Sequence, residues 1–124
     1  RQQDHAAWVR VDNVLMTQPF SVEQPARADI DGLTGATLLQ FGTDWCGHCQ
    51  AAQPAVAQAL VDHPGVRHIK VEDGSGRVLG RSFAVKLWPT LVFLQDGHEV
   101  GRLVRPVASP PIRDMLARLA TGTR

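Results

Sequence analysis

The chain has 124 residues, 44% of them hydrophobic, with 13 Lys plus Arg against 12 Asp plus Glu and a formal net charge of +1. This length supports one globular domain over residues 1–124 and excludes a second, because such a chain buries roughly two-thirds of its unfolded surface around a single core. The basic residues form no run of like charge, and apolar runs such as Leu91 to Leu94 fall far short of the about 20 residues a spanning helix needs, which sets aside nucleic acid, anionic membrane surfaces and a bilayer span.

Arg1, Gln2, Gln3 and Asp4 include neither an initiator Met nor an apolar signal core, which reads as a processed or trimmed form. Residues 1–20 are an N-terminal extension or first elements, with an amphipathic segment around Ala6 to Met16, and Pro19, Pro25, Gly32 and Gly35 break the chain up to residue 35 into short pieces. Thr37 to Thr43 reads as a mostly buried strand. A helix from about Cys46 to Asp62 comes next, with Cys49, Ala52, Val56, Ala59 and Leu60 on one stripe and Pro54 expected to kink it. His63, Pro64 and Gly65 stop that helix, and Val66 to Val71 is a second strand, parallel to the first through a right-handed crossover. Glu72 to Gly76 is a polar loop and Arg77 to Ala84 a short helix. Pro89 to Leu94 and Glu99 to Val104 are antiparallel strands joined at Asp96-Gly97. Ser109 caps a closing helix with Pro110 in its first turn and Ile112, Met115, Leu116 and Leu119 on its buried face. The fold class is α/β, a central mixed sheet flanked by helices.

Cys46 and Cys49 are the two cysteines, and Cys46 stands where a strand gives way to a helix. Unpaired backbone N–H groups and the positive end of the helix dipole stabilise an anion there, so Cys46 should ionise more readily than a free thiol. The thiolate is the nucleophile of disulfide exchange, and Cys49, one turn further in, is placed to attack the mixed disulfide that Cys46 forms. A disulfide across so short a loop would staple almost nothing. Zinc needs further ligands, and beyond these cysteines there are only His5, His48, His63, His68 and His98. Apart from His48 these lie in loops or on a strand without a ligand cluster and read as surface residues. A purely structural disulfide and ordinary core cysteines are the remaining alternatives.

Trp45-Cys46-Gly47-His48-Cys49, Pro54 eight residues after Cys46, and Trp88-Pro89-Thr90 before an apolar strand together resemble the thioredoxin family, from about Ala36 to the C-terminus. The resemblance implies a thioredoxin-like fold and a protein thiol–disulfide oxidoreductase with Cys46 and Cys49 as its reactive pair. It further implies a cis peptide before Pro89, and a shallow surface of Trp45, Gly47, His48, Trp88 and Pro89 on which a substrate chain lies extended against the Trp88 backbone. For Trp45 and Trp88 plain core packing is the competing reading.

Strict thioredoxins usually have Pro where this chain has His48, as protein disulfide isomerases do. An imidazolium beside the Cys46 thiolate would stabilise the reduced form, so the expected potential is less reducing than that of thioredoxin proper. Gln40 stands where the family commonly has a buried acid that relays protons to the second cysteine, and Gln cannot exchange a proton at neutral pH. Lys70, expected beside that acid, therefore lacks its usual mate, and Asp44 or Glu72 are candidate substitutes. Where the family usually carries a glycine beside the groove, this chain has Arg105, which narrows the groove or favours acidic partners unless it is simply a solvated strand end.

No phosphate-cradling glycine loop and no flavin or nicotinamide fingerprint is present, so no cofactor is expected and electrons come from another protein, a separate reductase or oxidase. The expected partners are protein disulfides or dithiols, for a cytoplasmic monomer, or a periplasmic one if a signal peptide precedes Arg1. A redox-regulated client-binding or assembly module with weak turnover is the alternative function.

Overall fold

The computed structural model describes residues 18–120 of the chain. The amphipathic segment expected around Ala6 to Met16 lies outside the described residues. Among the described residues eight elements occur in order: α1 (Arg27–Asp31), β1 (Ala36–Gly42), α2 (Gly47–Val61), β2 (Arg67–Glu72), α3 (Val78–Ser82), β3 (Thr90–Gln95), β4 (His98–Val104) and α4 (Ser109–Ala120). The strands form one mixed sheet in the order β2-β1-β3-β4, with β1 and β2 parallel and the other two pairings antiparallel. The parallel pairing of β1 with β2 on either side of α2 and the β3-β4 hairpin are those expected from the sequence. At the hairpin Asp96 and Gly97 both have positive φ, 52° and 82°, the pairing a two-residue turn between twisted strands requires.

β1 is buried at every position and β3 at all but its last, which is why both read as continuous apolar runs rather than alternating ones. Alternate residues serve opposite layers. Leu38, Leu91 and Phe93 pack with Ala55, Val56, Ala59 and Leu60 of α2 and with Ile112, Leu116 and Leu119 of α4. Leu39, Phe41, Val92 and Leu94 pack with Ile30, Val71, Leu79 and Phe83 beneath α1 and α3.

Local chemistry modifies several sequence expectations. α2 runs through Pro54 without interruption, beginning after Cys46 as its N-cap. β2 extends to Glu72, because the segment Phe20-Ser21 lies along its outer edge: Ser21 N–H donates to Lys70 O and Glu72 N–H donates to Ser21 O. That contact shields an otherwise open edge strand. Ser109 is the first residue of α4, and its hydroxyl accepts a hydrogen bond from Arg113 (2.9 Å). α1 is added to the expected elements; its Arg27 pairs with Asp31 (2.9 Å), donates to Ser82 O and lies 3.8 Å from the centre of the Phe83 ring. No helix among the described residues is long and apolar enough to cross a membrane.

Candidate functional site

The C-terminal end of β1, the N-terminus of α2 and the turn before β3 meet around two free thiols. Cys46 and Cys49 are both buried and cluster with Phe20, and the half-buried Trp88 packs against them. The Trp88–Pro89 peptide is cis, as the family resemblance implied. Gly42, the last residue of β1, is what lets the inner sulfur in: a Cβ there would stand 2.5 Å from Cys49 Sγ and 2.9 Å from the Phe20 ring.

The two sulfurs are electrostatically unequal. Burial pushes the Cys46 thiol up, yet the backbone N–H of Cys49, the Cys49 thiol, the backbone N–H of His48 and the charge of Arg105 outweigh it and hold Cys46 below its ordinary 9.0. This is the N-cap logic seen from the ligand side: helix-start amides that lack intrahelical acceptors turn toward the sulfur. Cys49 moves the opposite way, to about 12. Deeper burial is the main cause, the thiolate character of Cys46 adds to it, and the Thr43 amide and the Lys70 charge oppose it only in part.

His48 contributes to this balance through its main chain. Its ring is exposed and makes no hydrogen bond among the described residues, whereas its backbone N–H is one of the groups that hold Cys46 down. Gly47 is exposed, and a Cβ there would meet nothing within 4 Å. Trp45 is 73% exposed and meets Trp88 edge-on, with ring centres 5.8 Å apart. The core-packing reading therefore fails for Trp45.

Beneath the thiols, Gln40 and Lys70 are neighbours across the β1-β2 register, and both are buried. Gln40 is satisfied by a residue expected at the surface: His68 Nε2 lies 2.8 Å from Gln40 Oε1. His68 is half-buried, and burial followed by the Lys70 charge lowers its pKa to about 3, so the ring is neutral and donates to the amide oxygen. The surface assignment for His68 is thus corrected, and the signal was available: two residues before Lys70 on a strand, it shares that residue's face. Lys70 does not lack partners. Its ammonium donates to Gln18 O (2.8 Å), lies 4.3 Å from the centre of the Phe20 ring and, although burial lowers its pKa, is favoured by Asp44 and by Cys49. Of the two proposed substitutes for the missing acid, Asp44 is the one that acts on Lys70, while also accepting the Phe20 N–H; Glu72 is paired with Arg77 at 3.2 Å.

Two further residues complete the site. Asp73, expected in a polar loop, is buried and accepts the Trp88 indole N–H at 2.8 Å, and its own N–H donates to Gly42 O. Gly80 makes room for that carboxylate, since a Cβ there would overlap it. Arg105 comes directly after β4 with φ +54°; its N–H donates to Pro89 O and its side-chain Nε to Trp88 O, at 2.9 and 2.8 Å.

A helix-start thiol, a second thiol one turn on, and a cis-proline turn against them on a four-stranded mixed sheet define a thioredoxin-like protein. The family model for thioredoxin matches residues 25–118, and the chain belongs to the thioredoxin family. Among solved structures it is similar to thioredoxin 2 of Pseudomonas aeruginosa PAO1 in its reduced form, with 57% identity and a TM-score of 0.77 over 86% of this chain and 98% of that one. Among curated relatives it is 33% identical over 89 residues to a thioredoxin of Chlamydia trachomatis, covering 72% of this chain and 84% of that protein. It is also 33% identical over 67 residues to thioredoxin H-type 1 of Nicotiana tabacum, covering 54% of this chain and about half (53%) of that protein.

Proposed function

We propose that this chain is a protein thiol–disulfide oxidoreductase in which Cys46 is the attacking thiol and Cys49 the resolving one. The opposite displacement of the two thiol pKa values carries this reading. With Cys46 held below its ordinary value and Cys49 above it, the pair is divided into a thiol that ionises more readily and one that keeps its proton, the division of labour a two-step exchange needs.

In the first step the Cys46 thiolate attacks one sulfur of a substrate disulfide; an S–S bond to Cys46 forms as the substrate's bond breaks, and its other sulfur leaves as thiolate. In the second step Cys49 gives up its proton and attacks Cys46 Sγ. The Cys46–Cys49 disulfide forms and the second substrate sulfur is released, so the substrate has gained two electrons and the protein has lost two. Capture of Cys46 in the mixed disulfide also removes the charge and the hydrogen bond by which its thiolate raised Cys49. The second thiol is therefore eased toward ionisation when its turn comes, with Lys70 favouring the anion. An external dithiol protein resets the pair. Trp45, Gly47, Trp88 and Pro89 form the face on which a substrate strand docks by main-chain pairing.

A redox-regulated client-binding module is favoured by two observations: Gln40 is tied to His68 where a proton-relaying acid is usual, and Arg105 caps the Trp88 carbonyl. Insulin reduction driven by dithiothreitol separates the readings. Robust precipitation that disappears in Cys46→Ser is expected; an inactive wild type that still binds client chains would establish the module instead.

A further inference from the structure

We propose that Arg105 is a specificity-determining residue that selects disulfides flanked by an acidic side chain. The inference rests on the oxidoreductase reading and adds the substrate class. Arg105 lies across the β3-β4 ladder from Pro89, and its backbone has the left-handed conformation that glycine adopts freely and long side chains seldom do. From that backbone the side chain turns inward and sets its Nε on the Trp88 carbonyl, the acceptor a docking strand would use. A carbonyl has two lone pairs, so an incoming N–H either shares the oxygen or displaces Nε, and in both cases the guanidinium lies alongside the substrate.

Among the described residues the other N–H groups of the guanidinium make no hydrogen bond, while its charge also helps hold the Cys46 thiol down. Among the described residues no carboxylate lies within salt-bridge distance of it, and the residue is exposed. Asp73, the buried carboxylate that contacts Trp88, is engaged by the indole N–H. Trp45, which meets Trp88 edge-on, and Val104, the residue before Arg105, are exposed and apolar, so they add area without reading charge. A planar guanidinium with free N–H pairs is the group that grips a carboxylate in two-pronged fashion, and it repels Lys or Arg.

The test uses disulfide peptides identical except for Glu, Gln or Lys beside the cysteine, at low ionic strength. Each kcat/KM is divided by the same peptide's rate with dithiothreitol, which removes intrinsic reactivity. The wild type is expected to favour Glu over Lys about tenfold, by the size of one charge-assisted contact. Arg105→Gly, which suits the backbone at +54°, should bring that ratio near one, and Arg105→Glu should invert it. A wild type that reduces all three peptides equally, or an Arg105→Gly variant that keeps the preference, overturns the selectivity and leaves the oxidoreductase reading intact. A wild type that reduces none of them overturns both.

Discussion

The Asp73–Trp88 contact links stability to docking, and its removal has a calculable cost. The indole N–H donates to a carboxylate that is 9% exposed, across 2.8 Å. A hydrogen bond to a charged group contributes about 1.5–3 kcal/mol, and a buried donor left unpaired costs its own desolvation, about 1–3 kcal/mol. Asp73→Ala removes the acceptor and opens a gap over Gly80, so a loss of about 2–3 kcal/mol is expected. Asp73→Asn keeps shape and an acceptor oxygen and should cost about 1 kcal/mol. Trp88→Phe removes the donor instead, and since the two changes delete one interaction, the double variant should fall short of additivity by about 1–2 kcal/mol. Urea unfolding monitored by far-ultraviolet circular dichroism measures the wild type and the four variants. In the insulin assay Asp73→Ala should raise KM more than it lowers the alkylation rate of Cys46, because it loosens the docking edge rather than the thiol. Additivity within about 0.5 kcal/mol, or an Ala variant as stable as Asn, would refute the reasoning.

Acid sensitivity should trace to His68. Its folded pKa, about 3, lies below the ordinary 6.5, so between these values the unfolded chain binds a proton that the native one does not. Stability from this group is complete above about 6.5 and is lost as pH falls toward 3, with a slope approaching about 1.4 kcal/mol per pH unit. His68→Gln should flatten that limb of an unfolding series from pH 7 to 4, and an unaltered slope would assign it to other groups. Gln40→Glu places a carboxylate beside His68 and Lys70 under the thiols and should accelerate turnover at neutral pH; an unchanged rate counts against a proton relay at this position. His48→Pro removes an amide that holds Cys46 down, since proline has no N–H. The reduced form is then less stabilised and the potential should become more negative, by about 30 mV for each ~1.4 kcal/mol, as read against a glutathione buffer; an unchanged potential contradicts that role for the amide.

The parts of the molecule that were legible in the sequence are those fixed by local rules. Strand β1 and the stripe Cys49, Ala52, Val56, Ala59 and Leu60 come from apolar periodicity, and all five stripe residues are buried. The hairpin comes from Asp96-Gly97. The cysteine pair, with Trp88-Pro89, located the site through the family resemblance. Long-range pairings were not legible. Strand alternation puts His68 on the face of Lys70, but its bond to Gln40 shows only once the β1-β2 register sets it beside Leu38 and within reach of Gln40. Asp73 sits among Glu72, Gly74 and Ser75 as a typical turn residue, and only the cis-proline turn bringing Trp88 to it reveals its use. Phe20 was obscured because Pro19 and Pro25 mark irregular backbone, whereas its place beside the thiols depends on the Ser21 pairing with β2. Arg105 was visible as a departure from the family glycine, but its hydrogen bond to Trp88 O was not.

Site-resolved alkylation of the reduced protein probes the asymmetry of the sulfurs most directly. With iodoacetamide across a pH series and peptide mass spectrometry, Cys46 should react first and reach half its limiting rate below pH 9.0, while Cys49 stays protected until the solution nears pH 12. Equal labelling of both cysteines with one ordinary thiol profile, or earlier labelling of Cys49, would contradict it.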